Sequence, residues 1–241
     1  MDLSQILSAA QSHDASVRGS GEASLASLEA DPPRFFQALS SHIAADTNAP
    51  AERKLAGLVL KNALDSRDAS KKEQQAARWL ALAEDVRAST KQALLLALGA
   101  SEFDIGHTAG LVVAKIAAIE IPKSLWPDLL PGLLEGAAKK DAAGAAGRRQ
   151  SSIELLGYIC EELTAFDEDY LNEEMMNAIL TGVVTAMNPE EKSMELRCVA
   201  TKALTNALEF AANNFKREQE RNYIMEMVCH GTGAGDARVR E

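Results

Sequence analysis

A chain of 241 residues with 46% hydrophobic and 25% charged side chains has ample apolar text for a core, which excludes disorder as the default. Aromatic residues make up only 5% while Ala and Leu abound; this suits closely packed helices better than a sheet, so the expected class is all-α. The formal net charge of -10 argues against nucleic acid as the main partner, because that binding runs on clustered Lys and Arg, and is more compatible with a basic protein partner.

The amino terminus, MDLSQILSAAQSHD, has no basic region followed by an apolar core and is not a secretory signal. Its apolar positions Leu3, Ile6, Leu7 and Ala10 predict a first helix to about Gln11, and Asp14 is a reasonable N-cap for a second reaching Ala30. Asp31, Pro32 and Pro33 stop one helix and start the next, which carries Phe35, Phe36, Leu39 and Ile43 inward. Pro50 opens the stretch AERKLAGLVLKNALDSR, Ala51 to Arg67, read as a helix with an apolar stripe of Leu55, Leu58, Val59 and Ala63, widened by Ala56, Leu60 and Leu64. A thin polar seam remains: Lys54, Gly57, Lys61, Asp65 and Asp68, stacked at spacings of three or four. Gly57, unfavourable by about 1 kcal/mol relative to Ala in a helix, either relieves crowding against a neighbour or makes room for a partner.

Further helices are predicted at Lys71 to Leu82, Glu84 to Leu98 with Gly99 as its stop, and Ile105 to Ile119, apolar nearly all round and ended by Pro122. In SLWPDLLPGLLEGAAKK, Ser124 reads as a cap, Pro127 lies in the first turn and Pro131 bends the axis; Asp141 to Gly147 reads as a link before a helix at Arg148 to Leu163. The pattern is cleanest in two helices divided by Pro189, the first lined by Met176, Ile179, Leu180, Val183, Val184 and Met187, the second by Leu196, Val199, Ala200, Ala203, Ala207 and Leu208. Phe215 to Val228 makes a further helix, and Asp236 to Glu241 reads as the opening of another. No uninterrupted apolar run approaches the roughly 20 residues of a membrane span. Cys160, Cys198 and Cys229 are odd in number and widely separated in apolar helical text; they read as reduced, buried small hydrophobes.

Helices thus pair through short turns, and the pair recurs every roughly 40 to 47 residues, the period of HEAT or armadillo units. No pair can bury its apolar faces alone. The implied architecture is a right-handed α-solenoid of about five to six repeats, read as one segment over residues 1–241 and as a fragment of a longer solenoid.

Chemistry is not legible. His13, His42, His107 and His230 are scattered without metal-type spacing, there is no GxSxG elbow and no GxxxxGK[ST] loop, and GTGAG at Gly231 to Gly235 follows no strand. The expectation is a protein without enzymatic activity, cofactor or metal. The carboxylates Glu161, Glu162, Asp167, Glu168 and Asp169 read as a solvated loop or as an attractor of a basic partner. Met175, Met176 and Met187 read as core or as an adaptable surface.

Six blocks in order carry a resemblance over the whole chain: AGLVLKNAL at Ala56 to Leu64, RWLAL at Arg78 to Leu82, IAAIEIPKSLWPDLLP at Ile116 to Pro131, IELLGYICEEL at Ile153 to Leu163, ATKALTNALEF at Ala200 to Phe210 and NFKREQERNYIMEMVC at Asn214 to Cys229. They resemble the amino-terminal part of the importin-beta family of karyopherin nuclear transport receptors. The resemblance implies an importin-beta-type amino-terminal region over roughly 20–100, further HEAT repeats over 101–241, binding of the GTP form of the small GTPase Ran by the early repeats, and binding of nucleoporin Phe-Gly motifs by the fifth and sixth. It places Lys61 and Arg67 at basic Ran-facing positions, Arg67 standing where the family has Lys. It places the Phe-Gly slot between Leu180, Thr181 and Val184 on one helix and Glu220, Tyr223, Ile224 and Met227 on another; Val184 replaces an Ile and Tyr223 a Phe. Lys115 stands where the family has a small residue. Also implied are a monomer acting in cytoplasm and nucleus and at the nuclear pore, and recognition of the importin-alpha adaptor or cargo only by later repeats, absent here. The alternative from periodicity alone is a HEAT scaffold of a phosphatase or coat complex, since a fold does not set function.

Overall fold

The computed structural model describes residues 2–139, 145–166 and 170–240, which are helical with connecting turns and contain no strand. The chain divides into two compact units, Met1–Ile116 and Ala117–Glu241.

The first unit contains α1 (Leu3–Ala10), α2 (Ala15–Glu29), α3 (Pro32–Ala44), α4 (Pro50–Leu64), α5 (Ala69–Leu80), α6 (Glu84–Ala97) and most of α7 (Phe103–Glu120). Local chemistry sets the starts. Asp2 and Gln5 form a reciprocal capping box on α1, Asp14 accepts from Ser16 and Val17 N–H, and Asp68 accepts from Lys71 N–H at 2.8 Å. Pro32 and Pro50 begin α3 and α4, where an amide hydrogen has no intrahelical partner to lose. Hairpins α1–α2 and α3–α4 stack through α2 on α3 and α1 on α4, and α3 also packs on α6. Leu7, Phe35, Phe36, Leu39, Ile43, Leu60 and Trp79 are fully buried, with Phe36 edge-on to Phe35 at 5.3 Å and to Trp79 at 5.1 Å.

The polar seam of α4 lies along α7 in parallel register. Lys54 reaches Asp104 at 2.6 Å, a Cβ added at Gly57 would sit 2.3 Å from Thr108 Cγ2, and Asp65 pairs with Lys115 at 2.6 Å. Gly57 is therefore a packing glycine, which decides between its two readings. Lys115, a departure from a small residue, is neutralised by that seam. The inward face of α4 is Arg53, Ala56, Gly57, Leu60, Ala63 and Leu64, so Leu58, expected in the apolar stripe, lies off it and is 39% exposed.

The second unit contains a 3-10 turn (Ile121–Lys123), α8 (Leu129–Ala138), α9 (Ala145–Leu163), α10 (Glu173–Ala186), α11 (Met194–Ala207), a second 3-10 turn (Leu208–Ala211), α12 (Ala212–Lys216), α13 (Glu218–Thr232) and α14 (Ala237–Arg240). Hairpins α8–α9, α10–α11 and α13–α14 stack with α8 on α10, α9 on α11 and α11 on α14. Gly157 repeats the role of Gly57: a Cβ there would lie 2.7 Å from the Ala203 backbone.

Each unit holds a buried arginine in the same arrangement. Arg53 Nε donates to the Ile43 carbonyl at 2.7 Å and Nη1 contacts Glu102, which precedes α7; Arg149 Nε donates to the Ala137 carbonyl at 3.1 Å and Nη1 reaches Glu191, which precedes α11, at 3.0 Å. Each guanidinium thus ties the end of its partner helix to the next hairpin.

Four expectations change. Ser124 does not cap a helix; it ends the 3-10 turn at φ 56°, and α8 starts at Leu129 with Pro131 in its first turn, where it breaks no hydrogen bond and bends nothing. The helix expected at Phe215 to Val228 is interrupted at Arg217, which leaves Asn214 buried and bonded to α10. Cys160 and Cys198 are buried but Cys229 is exposed, because α13 buries only Ile224, Met227 and Gly231 and Cys229 lies off that stripe. Phe103–Lys123 is long and apolar enough by length and composition to cross a membrane, although Asp104, Lys115, Glu120 and Lys123 keep it from being an uninterrupted apolar run, and 67% of its most apolar 18-residue window is buried inside the protein, as befits a core helix. Of the expected link, Asp141 to Gly144 lie outside the described residues, as do Asp167, Glu168 and Asp169 of the carboxylate group, whereas Ala145 to Gly147 already belong to α9.

Candidate functional site

Helices α10 and α13 frame a slot within the second unit. Asn172 caps α10 by accepting from Met175 N–H at 2.8 Å, which sets the phase that turns Leu180 and Val184, one turn apart, to the same face. On α13 the stripe of Ile224, Met227 and Gly231 is buried, and Tyr223 stands beside it, 45% exposed. The slot encloses about 230 Å³ between Leu180, Thr181 and Val184 on one side and Glu220, Tyr223 and Ile224 on the other, with Asn177 and Asn214 at its polar end. Leu180, Val184 and Ile224 are buried, so the floor is rigid packed side chain rather than loose surface. The volume falls below the roughly 300 to 1,000 Å³ of drug-sized ligand sites and suits one large side chain.

The polar end is held by a chain of bonds. Asn214 Nδ2 donates to Asn177 Oδ1 at 2.6 Å and to Glu220 Oε2 at 2.7 Å; Arg217 Nη1 donates to Glu220 Oε1 at 3.0 Å, and Nη2 bonds to Glu173 at the start of α10. The hydrogen bonds from Arg217 and then Asn214 hold the Glu220 carboxyl below its usual range, so it is an ionised acceptor at neutral pH. Thr181 donates its hydroxyl back to the Asn177 carbonyl at 2.7 Å and presents its methyl group.

Six of the seven residues assigned to the slot from the sequence line it; Met227 is buried and does not. Asn177 and Asn214 were not foreseen. Asn177 lies one helical turn before Thr181, so the spacing contained it; Asn214 sits in the break between α12 and α13, and no periodicity points to it.

In the first unit, Lys61 is half-buried on the last turn of α4 and Arg67 is exposed in the following loop. Among the described residues neither side chain makes a hydrogen bond or ion pair, whereas nearby Asp65 is taken by Lys115 at 2.6 Å and Lys72 at 3.4 Å. Burial raises the Asp65 carboxyl, but hydrogen bonding and charge from Lys115 and Lys72 outweigh it and leave the group below its usual range. Lys61 and Arg67 thus have no carboxylate partner among the described residues.

Residues 21–100 match the family model of the importin-beta N-terminal domain. Among curated proteins the chain is similar to importin subunit beta-1 of Arabidopsis thaliana, 39% identical over 242 residues, and to importin subunit beta-1 of Schizosaccharomyces pombe, 34% identical over 241 residues; each match covers 100% of this chain and 27% of the relative. The chain therefore spans about a quarter of the length of the curated relatives it matches. Among solved structures it superposes on importin beta crystallised in ammonium sulfate with a TM-score of 0.89 at 36% identity, covering 100% of this chain and 27% of that one. It superposes with a TM-score of 0.90 at 31% identity on Kap95p in a structure described as inducing the switch loops of RanGDP to adopt the GTP-bound conformation, and with 0.83 at 31% on Kap95 in a complex with Nup1; these cover 99% of this chain and 27% and 28% of those chains. With helices throughout the described residues and these neighbours, the fold is the all-α HEAT-repeat class of the importin-beta solenoids, and the chain is similar to the importin-beta family along its whole length.

Proposed function

We propose that this chain is a binding region of a nuclear transport receptor, that α10 and α13 hold the phenylalanine of nucleoporin Phe-Gly motifs between them, and that the α4 end of the first unit binds Ran in its GTP-bound conformation. The observation that carries the reading is the slot: six residues assigned through the family resemblance, on two helices about 40 positions apart, line one cavity of about 230 Å³ with an apolar floor. A Phe ring gains by burying its area there, and a single shallow anchor exchanges quickly, as passage through a crowded pore requires. The complexes of Kap95 with Nup1 and of Kap95p with Ran support the same two partners for this chain.

Lys61 and Arg67, without an ion-pair partner among the described residues, offer positive charge to a GTPase surface in a chain that is otherwise acidic. The reading is of binding without catalysis and without a cofactor, with activity divided between cytoplasm, nucleus and pore. It is tested by capturing a Phe-Gly repeat segment with the wild-type chain and with Ile224→Asp. Loss of capture with unchanged helix content supports the slot; undiminished capture contradicts it.

A further inference from the structure

We propose that Asn177 is a further peptide-binding residue of the slot, donating a hydrogen bond from its side-chain amide to the main-chain carbonyl of the phenylalanine seated there. This rests on the slot reading above and adds that the peptide is recognised through its backbone as well as its ring.

Both amide hydrogens of Asn214, a residue only 6% exposed, are committed to Asn177 Oδ1 and Glu220 Oε2. The Thr181 hydroxyl is committed to the Asn177 carbonyl, and the Glu220 carboxylate accepts from Arg217 and Asn214. Two lining donors have no partner among the described residues: the Tyr223 hydroxyl, on a side chain open to water, and Asn177 Nδ2. Because Asn177 Oδ1 is fixed as the acceptor from Asn214, the amide plane is set and its NH₂ group faces away from Asn214. A ring entering the slot carries its own flanking peptide groups out of water, and an unpaired carbonyl there is penalised. A fixed donor at Asn177 beside an ionised acceptor at Glu220 matches the carbonyl and N–H that flank a phenylalanine. A ring alone would be read only by shape.

The test measures affinity for two synthetic peptides carrying one Phe-Gly, identical except that in the second the Phe–Gly amide is an ester, whose carbonyl is a poorer acceptor. The proteins are the wild-type chain, Asn177→Ala and Ile224→Asp, each with its helix content and thermal midpoint recorded. Asn177→Ala is expected to bind the amide peptide about fivefold more weakly and the ester peptide with little further loss. Asn177→Asp, which keeps the acceptor for Asn214 and removes the donor, is expected to follow Asn177→Ala. If Ile224→Asp abolishes binding while Asn177→Ala binds like wild type, or loses equally with both peptides, the backbone contact is overturned and the slot stands. If Ile224→Asp still binds, the slot reading falls and this inference with it.

Discussion

Arg53, 1% exposed in α4, donates from Nε to the Ile43 carbonyl at the end of α3, at 2.7 Å, and its Nη2 lies 2.9 Å from Asp46 in the connecting turn. A buried guanidinium here satisfies a helix-terminal carbonyl that would otherwise have no partner, and its stem packs in the hairpin. Arg53→Ala is expected to lower stability by about 2 to 4 kcal/mol, through the lost bond and the cavity together, and Arg53→Met by about half as much because it keeps the stem volume. Urea unfolding of the two variants checks this; equal losses would assign the whole effect to the hydrogen bonds.

Gly57 sets how closely α4 and α7 approach. Thr108 cannot swing away freely, because its hydroxyl donates to the Asp104 carbonyl at 2.7 Å. Gly57→Ala should therefore destabilise by about 1 to 2 kcal/mol, even after the roughly 1 kcal/mol that Ala gains in helix propensity. Thr108→Ser retains the hydroxyl and removes Cγ2, so Gly57→Ala with Thr108→Ser should recover most of the loss in a double-mutant cycle.

Burial holds the His42 imidazole below its ordinary value of 6.5, with Arg53 acting in the same direction; the Glu52 carboxylate, 3.4 Å from Nε2, and the more remote Asp2 oppose this only in part. A folded value below the unfolded one means that the contribution of the neutral ring is complete above 6.5 and is lost as pH falls through the depressed folded value. The thermal midpoint of the wild-type chain should accordingly drop between about pH 7 and 5, and His42→Gln should flatten that part of the profile.

The helices were legible because α3, α10 and α11 repeat apolar residues at helical spacing and because Asp14, Asp31 and Pro50 punctuate them in ways chain chemistry explains. The slot was legible only through resemblance, since Leu180 and Ile224 look like any other core positions by period alone. What the sequence hid were groups whose role depends on a distant partner. Arg53 carried no signal of its own until Ile43 and Glu102 met it, Lys115 stood only as a departure until Asp65 met it, and Asn214 went unremarked until it bridged Asn177 and Glu220.

Charge reversal at the α4 end should act on Ran alone. Lys61→Glu with Arg67→Glu is expected to reduce affinity for Ran loaded with GTP about tenfold at low salt and less at high salt, because exposed charges are screened. Phe-Gly peptide binding should not move. Equal affinity of the wild-type chain for the GTP and GDP forms would argue against recognition of the GTP-bound conformation.

The slot is tested most directly by methyl chemical-shift mapping of the labelled chain titrated with a single Phe-Gly peptide. Fast-exchange shifts confined to Leu180, Thr181, Val184 and Ile224, saturating together and absent with a Ser-Gly control, are the predicted result. Shifts centred elsewhere, or equal for both peptides, would contradict the account.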